Sequence, residues 1–179
     1  MILLETDRLI LRHASLDDAD FMLRLLNEPS FLRFIGDRGV RTLDDARRYI
    51  AERFVGSYER HGFGLWVVER KALAGPIGIS GLVKRDALPD PDIGFAFLPE
   101  FWSSGYAYES ATAVKEYALT TLRLPRLLAI TNDDNERSIR IVEKLGLEFE
   151  RMLSLQSDQK EVRLFALEDT RAASGNTLR

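Results

Sequence analysis

Apolar and polar residues alternate through "RLILRHA" (8–14), the period of a strand with one buried face. The period then lengthens. Ser15 precedes "LDDADFMLRLLNEP", whose acids crowd the first turn and whose Pro29 follows the end, so a capped helix is expected. After a loop containing "FIGDRG", Thr42 stands as the N-cap of a second helix, "LDDARRYIAERFVGSYERH", which ends at His61 beside Gly62. "FGLWVVER" and "GPIGISGLVKR" read as paired strands joined by "KALAG", and "DPDIGFAFL" as the next strand. A helix is expected from about Tyr106 to Leu122, then the short buried-type strand "RLLAIT", then a helix in "DDNERSIRIVEKLG" with a glycine stop. "LEFERMLSL" and "KEVRLFALE" close the pattern as two strands.

The order β-α-α-β-β-β-α-β-α-β-β shows neither repeat nor linker. Residues 1–168 are therefore expected to form one α/β domain with a mixed sheet, and the polar, aperiodic residues 169–179 a flexible C-terminal tail. Three consecutive strands disfavour a regular doubly wound sheet, in which strands and helices alternate throughout.

Composition narrows the chemistry by exclusion. The 179 residues carry a net charge of −3 with scattered charges, so no basic face suggests nucleic acid. The pair Arg47 and Arg48 fits a solvated helix face. No apolar run approaches the ~18–20 residues of a membrane span, and the N-terminus lacks the uninterrupted apolar stretch of a signal peptide, which makes the cytoplasm the default location. Cysteine is absent and the two histidines, His13 and His61, are far apart, so thiolate chemistry, a His-based metal site and a Ser-His-Asp triad are not expected.

One stretch points to chemistry. "PEFWSSGYAYESA" (99–111) places Ser103, Ser104, Gly105 and Ala107 between a strand and a long helix. No lysine follows, which excludes a nucleotide P-loop. A lone glycine before a helix is also an ordinary turn. Yet small residues at a helix N-terminus, where backbone amides are free and the helix dipole is positive, suit a phosphate. Thirty residues after Gly105, Asn135 and Ser138 open the helix that ends "KLGL".

"DIGFAFLPEFWSSGYAYESA" resembles the coenzyme A pyrophosphate motif of the GNAT (Gcn5-related) N-acetyltransferases, and "NERSIRIVEKLGLEF" resembles their second motif, N-x-x-S/A…K-x-G-F. "ETDRLILRHASLDDAD" is similar to the opening of the RimJ/RimL-like branch, which acetylates ribosomal-protein N-termini. The resemblance runs over about residues 3 to 167. It implies the GNAT fold, with about six to seven strands, a splayed central pair and about four flanking helices. It implies acetyl-CoA as cosubstrate, no metal, and transfer to a primary amine, either a protein N-terminus or a small molecule, by direct attack on the thioester. A homodimer is compatible with it, although no interface stripe stands out.

By position the resemblance gives Phe95, Ala96 and Phe97 the backbone pairing with pantetheine, and the amides from Ser103 through Ser104, Gly105, Tyr106 and Ala107 to Tyr108 the pyrophosphate. Asn135 would hydrogen-bond pantetheine, or simply cap its helix. The Phe97 N–H would face the oxyanion. Many relatives place a tyrosine seven residues after the motif asparagine as proton donor; Val142 stands there, and Ser138, one turn earlier on the same face, would contact the sulfur instead, or be a first-turn helix serine. For the base, Asp92 replaces a glutamate of relatives but also fits a solvated turn acid, and strand alternation puts it on the face opposite Phe97 unless a bulge intervenes. Glu161 is the other candidate, while Ser157 stands where the ribosomal enzymes have a glutamate. Arg33, Phe34, Arg38 and Arg41, on the segment expected to select the acceptor, suit an acidic or carboxyl group, or are solvated. The lost tyrosine keeps a non-catalytic acyl-CoA-binding module as the alternative to an enzyme.

Overall fold

The computed structural model describes residues 1–156 and 160–169. Ser157 and residues 170–179 of the expected tail lie outside the described residues. Eight strands form one sheet: β1 (Ile2–Glu5), β2 (Leu9–Arg12), β3 (Leu65–Arg70), β4 (Leu73–Val83), β5 (Asp92–Phe97), β6 (Arg126–Thr131), β7 (Glu148–Leu153) and β8 (Val162–Glu168). The helices are α1 (Ala19–Leu26), α2 (Pro29–Phe34), α3 (Leu43–Tyr49), α4 (Gly56–His61), α5 (Tyr106–Glu116) and α6 (Glu136–Lys144). α3 and α4 form one continuous helix through a wider i→i+5 stretch at Ile50–Val55, and α5 ends in a similar stretch at Tyr117–Thr121. Thr42 caps α3, accepting from the Asp45 N–H, and Gly62 ends α4 in the left-handed conformation.

Two elements lie beyond the sequence expectation. β1 adds an edge strand, giving eight strands rather than six or seven. α2 begins on Pro29, the residue that also follows α1; proline suits a first helical position because the amide it lacks would have no partner there.

The sheet order is β1-β2-β3-β4-β5-β6-β8-β7. Every neighbouring pair is antiparallel except β5 and β6, which run parallel and share a single pairing, Asp92 with Leu128. This is the splayed central pair. Strand alternation sends side chains to two layers. One face carries Trp66, Val68, Phe95 and Phe97 against α5 and α6, where Ala111, Val114 and Ala118 are fully buried and let α5 lie close to the sheet. The other face carries Val67, Ile79 and Ala96 against α1 to α4 through Met22, Leu25, Ala46, Ile50 and Phe54. Gly78 leaves room for the Phe97 ring, since a Cβ there would stand 2.4 Å from it. Among the described residues no helix is long and apolar enough to cross a membrane.

Candidate active site

The site begins where β5 and β6 part. The Leu128 N–H donates to the Pro91 carbonyl at 3.0 Å, so Pro91 turns its backbone toward β6. On the other edge of β5 the Leu98 N–H donates to Ile77 of β4 at 3.0 Å. Backbone direction alternates along a strand, so both bonds give one result: the amides of Phe95 and Phe97 face the opening, and that of Ala96 faces β4. The register from Gly78–Phe97 to Val83–Asp92 is continuous, with no bulge, so Asp92 and Phe97 project their side chains to opposite faces. On the open side the Phe97 carbonyl accepts the Trp102 Nε1–H at 2.8 Å, which fixes the start of the next loop against the end of β5.

That loop turns sharply. Ser103 has φ 60°, and Gly105, at φ 81° and ψ 4°, sits immediately before α5. The first amide of the helix with an internal partner is Glu109, which donates to the Gly105 carbonyl at 3.0 Å. The amides of Tyr106, Ala107 and Tyr108 thus project from the positive end of the helix with no capping side chain over them.

The loop is held from outside. The Arg8 guanidinium donates from Nη1 to the Ser104 carbonyl at 2.9 Å and from Nε to Glu109 at 2.6 Å, while Thr6 donates its hydroxyl to the same carboxylate at 2.5 Å. Burial works against the charge of Glu109, but the hydrogen bonds from Thr6 and Arg8 outweigh it and hold the carboxyl below the usual glutamate range. The acidic side chain in the first turn of α5 is therefore paired with Arg8.

Across the cleft, the Asn135 side chain caps α6 by accepting the Ser138 N–H at 3.3 Å. Ser138 faces the cleft, and Val142, one turn later, is 2% exposed. Arg137, in the first turn of α6, lays its guanidinium 4.5 Å from the Trp102 ring centroid and joins the two motif segments, a contact sequence reading missed because the two residues meet only in the folded chain. Arg33 pairs with Asp134 at 3.2 Å and stacks on Phe34, while Asn132 donates its side-chain N–H to the Phe34 carbonyl at 3.1 Å. α2 is thus fastened to the loop before α6, and the charge of Arg33 is engaged within the fold.

The two candidate bases stand in different surroundings. Asp92 is 1% exposed and accepts from the Arg85 Nε–H at 2.9 Å. Burial pushes its carboxyl up, with Arg85 opposing. Glu161 is exposed just before β8 and lies outside the residues that line the cleft. Arg41 is occupied by Asp37 and Asn27. Among the described residues no three or more His, Asp or Glu side chains gather as a metal site would need.

The cleft runs through the opening from Gly105–Tyr108 and Asn135–Ser138 on one face to Arg38, Tyr49, Arg53 and Arg85 on the other. Its volume of about 1910 Å³ exceeds the ~300–1,000 Å³ of a pocket for one small ligand. Two reactants entering from opposite faces fit that shape.

The comparisons with known proteins agree with this geometry. The profile of the acetyltransferase (GNAT) domain matches residues 8–148. The uncharacterized N-acetyltransferase YoaA of Bacillus subtilis is 32% identical, with 84% of this chain and 85% of that protein covered. Among solved structures, an acetyltransferase from Agrobacterium tumefaciens superposes with a TM-score of 0.78 at 22% identity, covering 93% of this chain and 94% of that one. RimL, a ribosomal L7/L12 alpha-N-protein acetyltransferase in complex with coenzyme A, superposes with a TM-score of 0.79 at 15% identity, covering 94% and 98%. The chain belongs to the GNAT acetyltransferases.

Proposed function

We propose that the protein transfers an acetyl group from acetyl-CoA to a primary amine, at a protein N-terminus or on a small molecule. The observation that carries this is the pair of outward-facing amides, Phe95 and Phe97, on a strand edge that β6 leaves unpaired, in one cleft with the uncovered amides of Tyr106 to Tyr108. Such an edge needs a partner, and an extended amide-bearing arm supplies one. The helix N-terminus takes a pyrophosphate at the distance Gly105 permits, since a left-handed residue with no Cβ lets the anion approach the backbone. These residues fit acetyl-CoA.

Bound there, acetyl-CoA supplies an activated thioester. The chain's residues hold and polarise it. Phe95 and Phe97 orient the arm, and the Phe97 N–H is the donor available to the oxygen on which charge develops. Ser138 anchors the sulfur end from α6; a serine is a poor proton donor at neutral pH, so its part is positioning. An α-amine has a pKa of roughly 7.7–8.0 and loses its proton readily, so the reaction asks little of a base. Asp92, buried against Arg85, acts by holding that arginine.

The test is thermal melting with acetyl-CoA, followed by thiol release against peptides and small amines. At 100 times its Kd, acetyl-CoA should stabilise the fold by about 2.7 kcal/mol, and amine-dependent thiol release should follow. A melting shift with no thiol release from any amine favours the binding-module reading. No shift at saturation rejects the cosubstrate. Asp92→Asn and Glu161→Gln should each keep the pH–rate profile of the parent; a lost acidic limb in either would identify a base.

A further inference from the structure

The acceptor end of the cleft has a charge pattern that neither motif explains. Arg38 comes from the loop between α2 and α3, Arg53 from the wide turn following α3, and Arg85 from the loop between β4 and β5; with Tyr49, the last residue of α3, they line one end of the cleft. Of the other arginines nearby, Arg33 pairs with Asp134, Arg41 with Asp37 and Arg48 with Asp45, while Arg60 donates an N–H to the Glu52 carbonyl at 3.4 Å. Arg38 and Arg53 form no ion pair among the described residues. Arg85 gives its Nε–H to Asp92, at 2.9 Å, so the buried carboxylate holds its stem, and its terminal N–H groups make no hydrogen bond among the described residues while the residue lines the cleft. Burial pushes the Tyr49 hydroxyl up, and the charges that pull against that are the guanidinium groups of Arg38, Arg53 and Arg85. The acids Glu52 and Asp86 also line the cleft.

We infer that this end of the cleft selects an acceptor carrying an anion near its amine, a carboxylate or a phosphate, held by Arg38, Arg53 and the terminal N–H groups of Arg85 beside the Tyr49 hydroxyl. The inference rests on the acetyl-transfer reading for the identity of the amine, but the anion subsite is a property of the arginines alone. Guanidinium groups suit it because their planar forks match carboxylate and phosphate oxygens. Three elements that meet only in the folded chain supply the charges, and one of the three is pinned by a buried acid. That arrangement differs from arginines distributed over a solvated surface.

The experiment uses matched pairs that differ in the anion: Ala-Glu amide against Ala-Gln amide for a carboxylate, O-phosphoethanolamine against ethanolamine for a phosphate. Thiol release is measured with the full chain and acetyl-CoA, and calorimetric binding of the same compounds is measured with coenzyme A present, so the readout does not depend on turnover. The anionic member of at least one pair should be favoured by about tenfold or more, the scale of a charge-assisted hydrogen bond. The preference should collapse in Arg38→Ala and Arg53→Ala through KM rather than kcat, and return partly in Arg38→Lys. Both residues are exposed, so these variants should fold and keep the parent's melting shift with acetyl-CoA. Equal binding of charged and neutral members in every pair, or a preference that survives Arg38→Ala and Arg53→Ala together, overturns the inference. Loss of the acetyl-CoA shift in the parent protein would instead reject the acetyl-transfer reading and leave the anion binding to be judged on its own.

Discussion

Gly105 holds two requirements at once. Its φ of 81° belongs to the left-handed region, and a Cβ there would lie 3.3 Å from Arg8 Nη2, the guanidinium that also holds the Ser104 carbonyl. A β-branched side chain would meet the conformational penalty, of order 1–3 kcal/mol, and would crowd the arginine that shapes the loop. Gly105→Val should therefore weaken acetyl-CoA binding by at least tenfold (about 1.4 kcal/mol) in calorimetry, and parent-like affinity would reject the anion-cradle reading. Asp92 gives a second test at this scale. Burial, with Arg85 opposing, leaves its carboxyl above the ordinary range. A raised folded-state pKa means a contribution that is complete below the unfolded value of about 3.9 and lost as pH climbs through the folded value. Asp92→Asn keeps an acceptor for Arg85 but cannot ionise, so in urea unfolding the variant should gain on the parent between pH 4 and 7. A gap that moves the other way would mean Arg85 outweighs the burial.

The N-terminal elements show why some of the architecture was legible in the sequence and some was not. Arg12 of β2 reaches Asp18 with two hydrogen bonds, Nη2 to Oδ1 at 2.7 Å and Nη1 to Oδ2 at 2.9 Å, while the Ser15 N–H donates to the same carboxylate at 2.8 Å. Burial opposes the charge, yet these bonds hold Asp18 below the usual aspartate range, the reverse of Asp92. Its contribution is therefore complete above about pH 3.9 and lost as pH falls through the folded value. Asp18→Asn should cost about 1–3 kcal/mol at pH 7, with the gap to the parent narrowing toward pH 3; a constant gap would place the stabilisation outside the ion pair. Thr42 marked its helix because a cap is a local device, whereas Ser15 leads into a 3-10 turn at Leu16–Asp18 and α1 starts only at Ala19; "RLLAIT" gave β6 because a buried strand has a compact apolar run. β1 escaped because "ILLE" has no alternation and is a strand only through its hairpin with β2. α2 escaped because Pro29 reads as a stop, and its role as a start depends on Glu28 taking an extended φ of −61° and ψ of 136°. In the site, the motif positions were readable since backbone amides are fixed by the order of small residues. The Arg8–Glu109 clamp, the Arg137–Trp102 contact and the meeting of Arg38 with Arg53 and Arg85 near Tyr49 were not, since each joins residues distant in sequence whose meeting depends on the fold.

Taken as a whole, the molecule is a sheet almost divided in two. β1 to β5 and β6 to β8 are continuous antiparallel ladders, and the seam between them holds one pairing, Asp92 with Leu128. Packing keeps the halves together: α5 and α6 share one core with strands from either side of the seam, through Ala111, Val114, Val142 and Leu145. Beyond the single pairing, the Phe95 and Phe97 amides have no strand partner on the β6 side. A ligand that lies along this edge would complete the ladder and couple the two halves, so its effect should be concentrated at the seam and at the N-terminus of α5. Hydrogen exchange resolves this directly. In the free protein the Phe95 and Phe97 amides should exchange faster than that of Ala96, which faces β4. Saturating acetyl-CoA should slow Phe95, Phe97 and Tyr106 to Tyr108 by at least tenfold beyond the change seen in β2 and β3. Protection spread evenly over the sheet would signify global stabilisation without pairing at the seam. Protection of Tyr106 to Tyr108 with none at Phe95 and Phe97 would keep the anion cradle and reject the strand-like seat for the arm.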